Sequence, residues 1–150
     1  MDAYIAFHEL HSDRWETAVA EFFPALEDVQ IQWRTGEYHH FNSPRGFAVT
    51  FIHSPRDFEL VYAEKFLYQS KSRKDAIIRH EIGHVLDSAI HPVALDRWAA
   101  QRRGLILPQT SERRADAIAY ALWGKTILYD KQDVQSLSSG VATRPARLGL

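Results

Sequence analysis

At Tyr68 the hydrophobic pattern of this chain changes period, and that change does most to narrow the folds open to it. Before Tyr68, apolar residues alternate: Val29, Ile31 and Trp33 are separated by glutamines, and Phe58, Leu60 and Tyr62 by Glu59 and Val61. A period of two places one set of side chains on one face of a strand. After Tyr68 the apolar positions Ala76, Ile77, Ile78, Ile82, Val85, Leu86 and Ala89 recur at helical spacing. The pattern predicts strands over residues 29–33, 47–52 and 58–68, with 35–45 a loop and 54–57 a turn closing an antiparallel hairpin. It predicts helices over 72–90, over 93–103 with Gly104 as the stop, and from Thr110 or Ser111 to Trp123 with Gly124 at the end. A first helix is expected over 13–23, capped by Asp13 with Glu16 three residues on, and a short amphipathic piece over 130–137. Strands early and helices late make an α+β layout rather than an alternating one.

A chain of 150 residues with 45% hydrophobic residues has the size and core of one domain, expected over 1–139, with 140–150 as a flexible tail. Eighteen basic against nineteen acidic residues leave a net charge of −1, which removes the electrostatic footprint of a nucleic-acid binder. The polar start and the lack of any apolar run near the roughly 20 residues of a membrane span argue for a cytoplasmic protein with no membrane partner. There is no cysteine, hence no disulfide and no thiolate ligand. A metal in this chain must be held by His, Asp or Glu.

Residues that suit this purpose stand in the long helix, in Arg79-His80-Glu81-Ile82-Gly83-His84-Val85-Leu86-Asp87. His80 and His84 are four apart, one turn of a helix, so both imidazoles can reach one ion. Glu81 is rotated by roughly 100° from His80 and stands beside that ion, where a general base would take a proton from an activated water. Asp87 lies almost in line with His80 but further along the axis, too far for a ligand; it is a candidate supporting contact to the site or to a nearby arginine or the last helix. His8-Glu9-Leu10-His11 has the wrong spacing, and His39-His40 is an adjacent pair in a loop; both pairs are expected to be solvent-exposed.

His-Glu-x-x-His resembles the core of the zincin metallopeptidases, and Glu112-Arg113-Arg114-Ala115-Asp116 resembles the Glu-x-x-x-Asp motif of their gluzincin branch. The resemblance spans roughly residues 62–123 and describes a minimal, single-domain form. It implies a zincin-like fold, with a small antiparallel or mixed sheet packed on the helix that carries His80 and a further helix that carries the third ligand. It implies one Zn2+ ion held by His80, His84 and Glu112, with Asp116 accepting a hydrogen bond from His80, although Asp116 as the third ligand stays open. The implied activity is endopeptidase cleavage of a peptide or protein substrate through a zinc-activated water, with Glu81 as general base. Zincins add a Tyr or His that donates to the oxyanion; Tyr120 is a candidate, with Tyr129 and the loop histidines as alternatives. Substrate would lie along the sheet edge, here expected to be the open edge of strand 58–68. The metzincin branch is excluded: Asp87 stands where its glycine belongs, Ile90 where its third histidine belongs, and no methionine follows Met1 to make the Met-turn. The alternative to an enzyme is a zincin-like binding or regulatory module that holds metal without turnover.

Overall fold

The structure, a computed structural model, describes residues 2–42 and 46–125. Its elements are α1 (Asp2–Glu21), β1 (Gln30–Thr35), β2 (Ala48–Ser54), β3 (Asp57–Tyr62), α2 (Lys71–Ala89), α3 (Pro92–Arg103) and α4 (Ser111–Trp123), with short 3-10 segments at His39–Asn42 and Glu64–Tyr68. Among the described residues this is an α+β architecture with a small mixed sheet of three strands and four helices. None of the helices among the described residues is long and apolar enough to cross a membrane. The expected helix over 130–137 and the tail over 140–150 lie outside the described residues.

The sheet order is β1-β3-β2. β1 runs parallel to β3, pairing Ile31 with Phe58 and Trp33 with Leu60; β2 runs antiparallel to β3, pairing Thr50 with Leu60 and Ala48 with Tyr62. The period-two pattern therefore puts Ile31, Trp33, Phe58, Leu60, Tyr62, Ala48 and Thr50 on one face, turned towards the helices. The expected open edge on strand 58–68 is not there, because β3 is the central strand and is paired on both sides. The edge beside α2 belongs to β2. That strand is also where alternation matters: the Ala63 amide donates to the Phe47 carbonyl at 2.8 Å. Antiparallel alternation from that bond turns Val49 and Phe51 to β3, and the amides and carbonyls of Ala48, Thr50 and Ile52 to the open edge.

Two element boundaries differ from expectation. β3 ends at Tyr62, because its next inward position would be Glu64; Phe66 is then buried from a 3-10 turn while Tyr68 is 83% exposed, so no alternation continues. α1 begins at Asp2, not at Asp13, because Phe7, His11 and Ala18 already form a buried stripe at helical spacing. Asp13 sits mid-helix, where its carbonyl accepts the Thr17 hydroxyl at 3.1 Å. The expected stops hold: Gly104 and Gly124 take left-handed φ values of 65° and 69° at the ends of α3 and α4.

α2 is the central helix. Every residue from Asp75 through Gly83 is buried, so it is enclosed on all sides rather than amphipathic. It packs most extensively on α4, with β2 and α1 on its other flanks. Its Ile77, Ile78, Ile82, Val85 and Leu86 join Phe58, Leu60, Leu95, Ile118 and Leu122 in one hydrophobic core. Ser70 caps its start by accepting the Arg73 amide at 3.2 Å. The motif histidines are therefore mounted on the most firmly packed element of the molecule.

Candidate metal centre

His80 and Glu81 are buried on α2, and His84, one turn on, reaches the surface with 12% of its side chain exposed. The two imidazole rings meet edge to face, 4.7 Å between centroids. His80, Glu81 and His84 form a group that could hold a metal ion, each offering a ligand atom within 4.8 Å of the others.

α4 brings the downstream pair to the same place. The Glu112 carboxylate lies across both rings: Oε2 is 3.0 Å from His80 Nε2, and Oε1 is 3.0 Å from His84 Nε2. Asp116, one turn further along α4 and buried, lies behind His80, with Oδ1 2.5 Å from Nδ1. The i, i+4 spacing of Glu112 and Asp116 thus sends one carboxylate to the front of His80 and the other to its back. What lets α4 come so close is Gly83: a Cβ there would strike the backbone carbonyl of Ala115. Of the three acidic groups near the imidazoles, Glu112 alone contacts both rings; Asp116 meets His80 from behind, and Glu81 Oε2 stands 3.8 Å from His80 Nε2.

The electrostatics follow from these contacts. Burial pushes the His80 imidazolium pKa down. The hydrogen bonds to Asp116 and Glu112 and the charges of Glu81 and Asp116 outweigh burial and hold it well above the ordinary histidine range. The hydrogen bonds from His80 and then His84 hold the Glu112 carboxyl well below the usual carboxylate range. Without a metal, both groups are held in their charged forms, an imidazolium paired with carboxylates; a metal at this site would have to displace the proton from His80 Nε2.

Two residues here carry no motif signal. Thr50, on β2, donates its hydroxyl to Glu81 Oε1 at 2.6 Å. Tyr62, on β3, is fully buried, and its hydroxyl has no hydrogen-bond partner among the described residues. Burial and then the charge of Glu81 hold its phenol well above the ordinary range. Strand alternation could have placed Thr50 and Tyr62 on the inner face, but not beside Glu81. β2, α2 and α4 together border a cleft of about 200 Å³, lined by Ala48, Val49, Thr50, Ile52, Glu81, His84, Ser111 and Glu112. A larger hollow of about 450 Å³, lined by Gly36, Tyr38, His39 and Lys65 among others, contains none of the motif residues.

The remaining candidates sit elsewhere. Asp87 does not support the histidines: it accepts from Arg114 Nε at 2.8 Å and ties α2 to α4, since its place further along the axis brings it opposite Arg114 rather than the rings. Tyr120 packs against the core instead of lining the cleft. His8 and His39 are exposed as expected. His11 is not; it is 2% exposed, because it shares the buried stripe of α1 with Phe7. Tyr129 and the His40 side chain lie outside the described residues. In comparisons with protein-family models, curated proteins and solved structures, nothing matches this chain.

Proposed function

We propose that this chain is a zinc-dependent metallopeptidase of the zincin type, an endopeptidase with Glu81 as general base. The observation that carries the reading is the convergence of His80 Nε2 and His84 Nε2 on one carboxylate, Glu112, at 3.0 Å each, with Glu81 set to the side. Two imidazoles and a carboxylate with no thiolate suit Zn2+, and three protein ligands leave a position for water. Bound there, zinc supplies a Lewis acid that acidifies a water molecule and polarises the scissile carbonyl.

The residues of the chain do the rest. Asp116 accepts a hydrogen bond from His80 Nδ1–H and so holds the tautomer whose Nε2 lone pair would coordinate. Glu81 takes a proton from the attacking water and hands it to the leaving amine. The open edge of β2 binds the substrate backbone: the outward amides and carbonyls of Ala48 and Thr50 can pair with an extended peptide, and Ile52, 54% exposed, offers an apolar contact next to it. The same reading makes the fold zincin-like, with the sheet edge, α2 and α4 in the roles of substrate strand, active-site helix and third-ligand helix.

The test is a peptide-library digest with zinc analysis of the same preparations. Wild-type protein should hold one zinc and cleave; Glu81→Gln should hold one zinc and lose at least about 100-fold in rate. Cleavage by Glu81→Gln at the wild-type rate would refute the base assignment. Wild-type protein that takes up no metal would refute the site.

A further inference from the structure

The two carboxylate oxygens of Glu81 have different neighbours. Thr50 Oγ1 stands 2.6 Å from Oε1. The same hydroxyl is 3.5 Å from the Glu81 carbonyl, too long to compete for its single proton. Oε2 is the oxygen on the imidazole side, 3.8 Å from His80 Nε2. The Thr50 hydroxyl takes one acceptor position of Oε1, and Oε2 is left on the imidazole side.

Thr50 is also, like Ala48 and Ile52, a residue of β2 whose amide and carbonyl face the open edge, and its side chain reaches Glu81 on α2. One residue therefore touches both the strand edge and the acid group. Resting on the hydrolase reading above, we infer that Thr50 is a positioning residue. It clamps Glu81 so that Oε2 stays turned towards the imidazoles, and it ties that clamp to the strand on which the peptide is bound. The substrate class this favours is an extended peptide backbone paired along β2. A compact ligand that does not pair with β2 would leave the clamp's strand unsupported.

Thr50→Val and Thr50→Ser test this. Valine keeps the β-branched shape that suits a strand and removes only the hydroxyl; serine restores the hydroxyl without the methyl. In Thr50→Val, kcat should fall about 10- to 100-fold, while KM and zinc content stay within about twofold. Thr50→Ser should recover to within about threefold of wild type. A crystal structure of Thr50→Val should show the Glu81 carboxylate turned away from its wild-type position. Wild-type kcat in Thr50→Val, an equal loss in Thr50→Ser, or an unmoved Glu81 in the Thr50→Val crystal would each overturn the inference. If wild-type protein cleaves no peptide, the hydrolase reading fails by itself, and the position of Glu81 in the Thr50→Val crystal still decides whether Thr50 holds it.

Discussion

Gly83 is the residue on which the two halves of the metal centre depend. Its missing side chain lets the Ala115 carbonyl of α4 approach α2, and the obstacle to any Cβ is backbone rather than a side chain that could turn aside. Gly83→Ala must push the helices apart, an overpacking effect of about 1–3 kcal/mol. Glu112 and Asp116 would move with α4, away from His80. The expected outcome is a lower urea midpoint together with weaker zinc binding in a competition titration; a variant with both unchanged would show that the close approach is not needed. At this scale the sequence speaks clearly about residues that share one helix. His80, Glu81 and His84 are fixed relative to one another by helix geometry, and so are Glu112 and Asp116. It says nothing about Thr50, whose partner is 31 positions away and comes to it only through packing of β2 on α2. Asp87 had two places open to it from its spacing, the histidines or a nearby arginine, and the structure gives it the arginine, Arg114 of α4.

Among the elements, α2 carries an unusual load, a buried charge cluster at the end opposite its last turn. Asp75 accepts from Arg14 Nε at 2.6 Å and lies 3.3 Å from Arg79 Nε; Arg79 is 4% exposed. Burial lowers the Arg79 pKa, and the Asp75 charge pulls it back. Asp75→Ala would leave the Arg79 charge buried beside Arg14 with no compensating carboxylate. The expected destabilisation is about 3–5 kcal/mol in urea unfolding, and Asp75→Leu/Arg79→Met should recover most of it. A single variant within about 0.5 kcal/mol of wild type would mean that Arg79 finds solvent instead. Element ends follow the same division between local and tertiary causes. Gly104 and Gly124 were legible stops because a left-handed residue is a local requirement. The start of α1 was not, because Asp13 and Glu16 imitate a cap and only the sheet shows that Phe7 and His11 are already helical and buried. The length of β3 and the edge position of β2 are likewise set by pairing, which alternation alone does not encode.

For the molecule as a whole, the clamp between α1 and the sheet adds a sensitivity to acid. His11 stacks on Trp33 of β1 at 5.0 Å and meets Phe7 of α1 and Tyr62 of β3 edge to face. Its Nε2 has no hydrogen-bond partner among the described residues. Burial, and then the charge of neighbouring His8, lower its pKa to about 4 from an ordinary 6.5. The folded state therefore holds His11 neutral while the unfolded chain protonates it, so the unfolded state binds more protons between these two values. The His11 contribution is full above pH 6.5 and falls as the pH drops towards 4. The loss from this one group is about 2 kcal/mol by pH 5 and about 3 kcal/mol at its limit. His11→Phe keeps a flat ring against Trp33 and removes the unpartnered nitrogen, so its stability at pH 7 should stay within about 1 kcal/mol of wild type. Urea unfolding at pH 7 and pH 5 should then show a drop in wild type that is absent from His11→Phe. Parallel losses in the two proteins would assign the acid sensitivity to another group and leave His11 a silent member of the α1 interface.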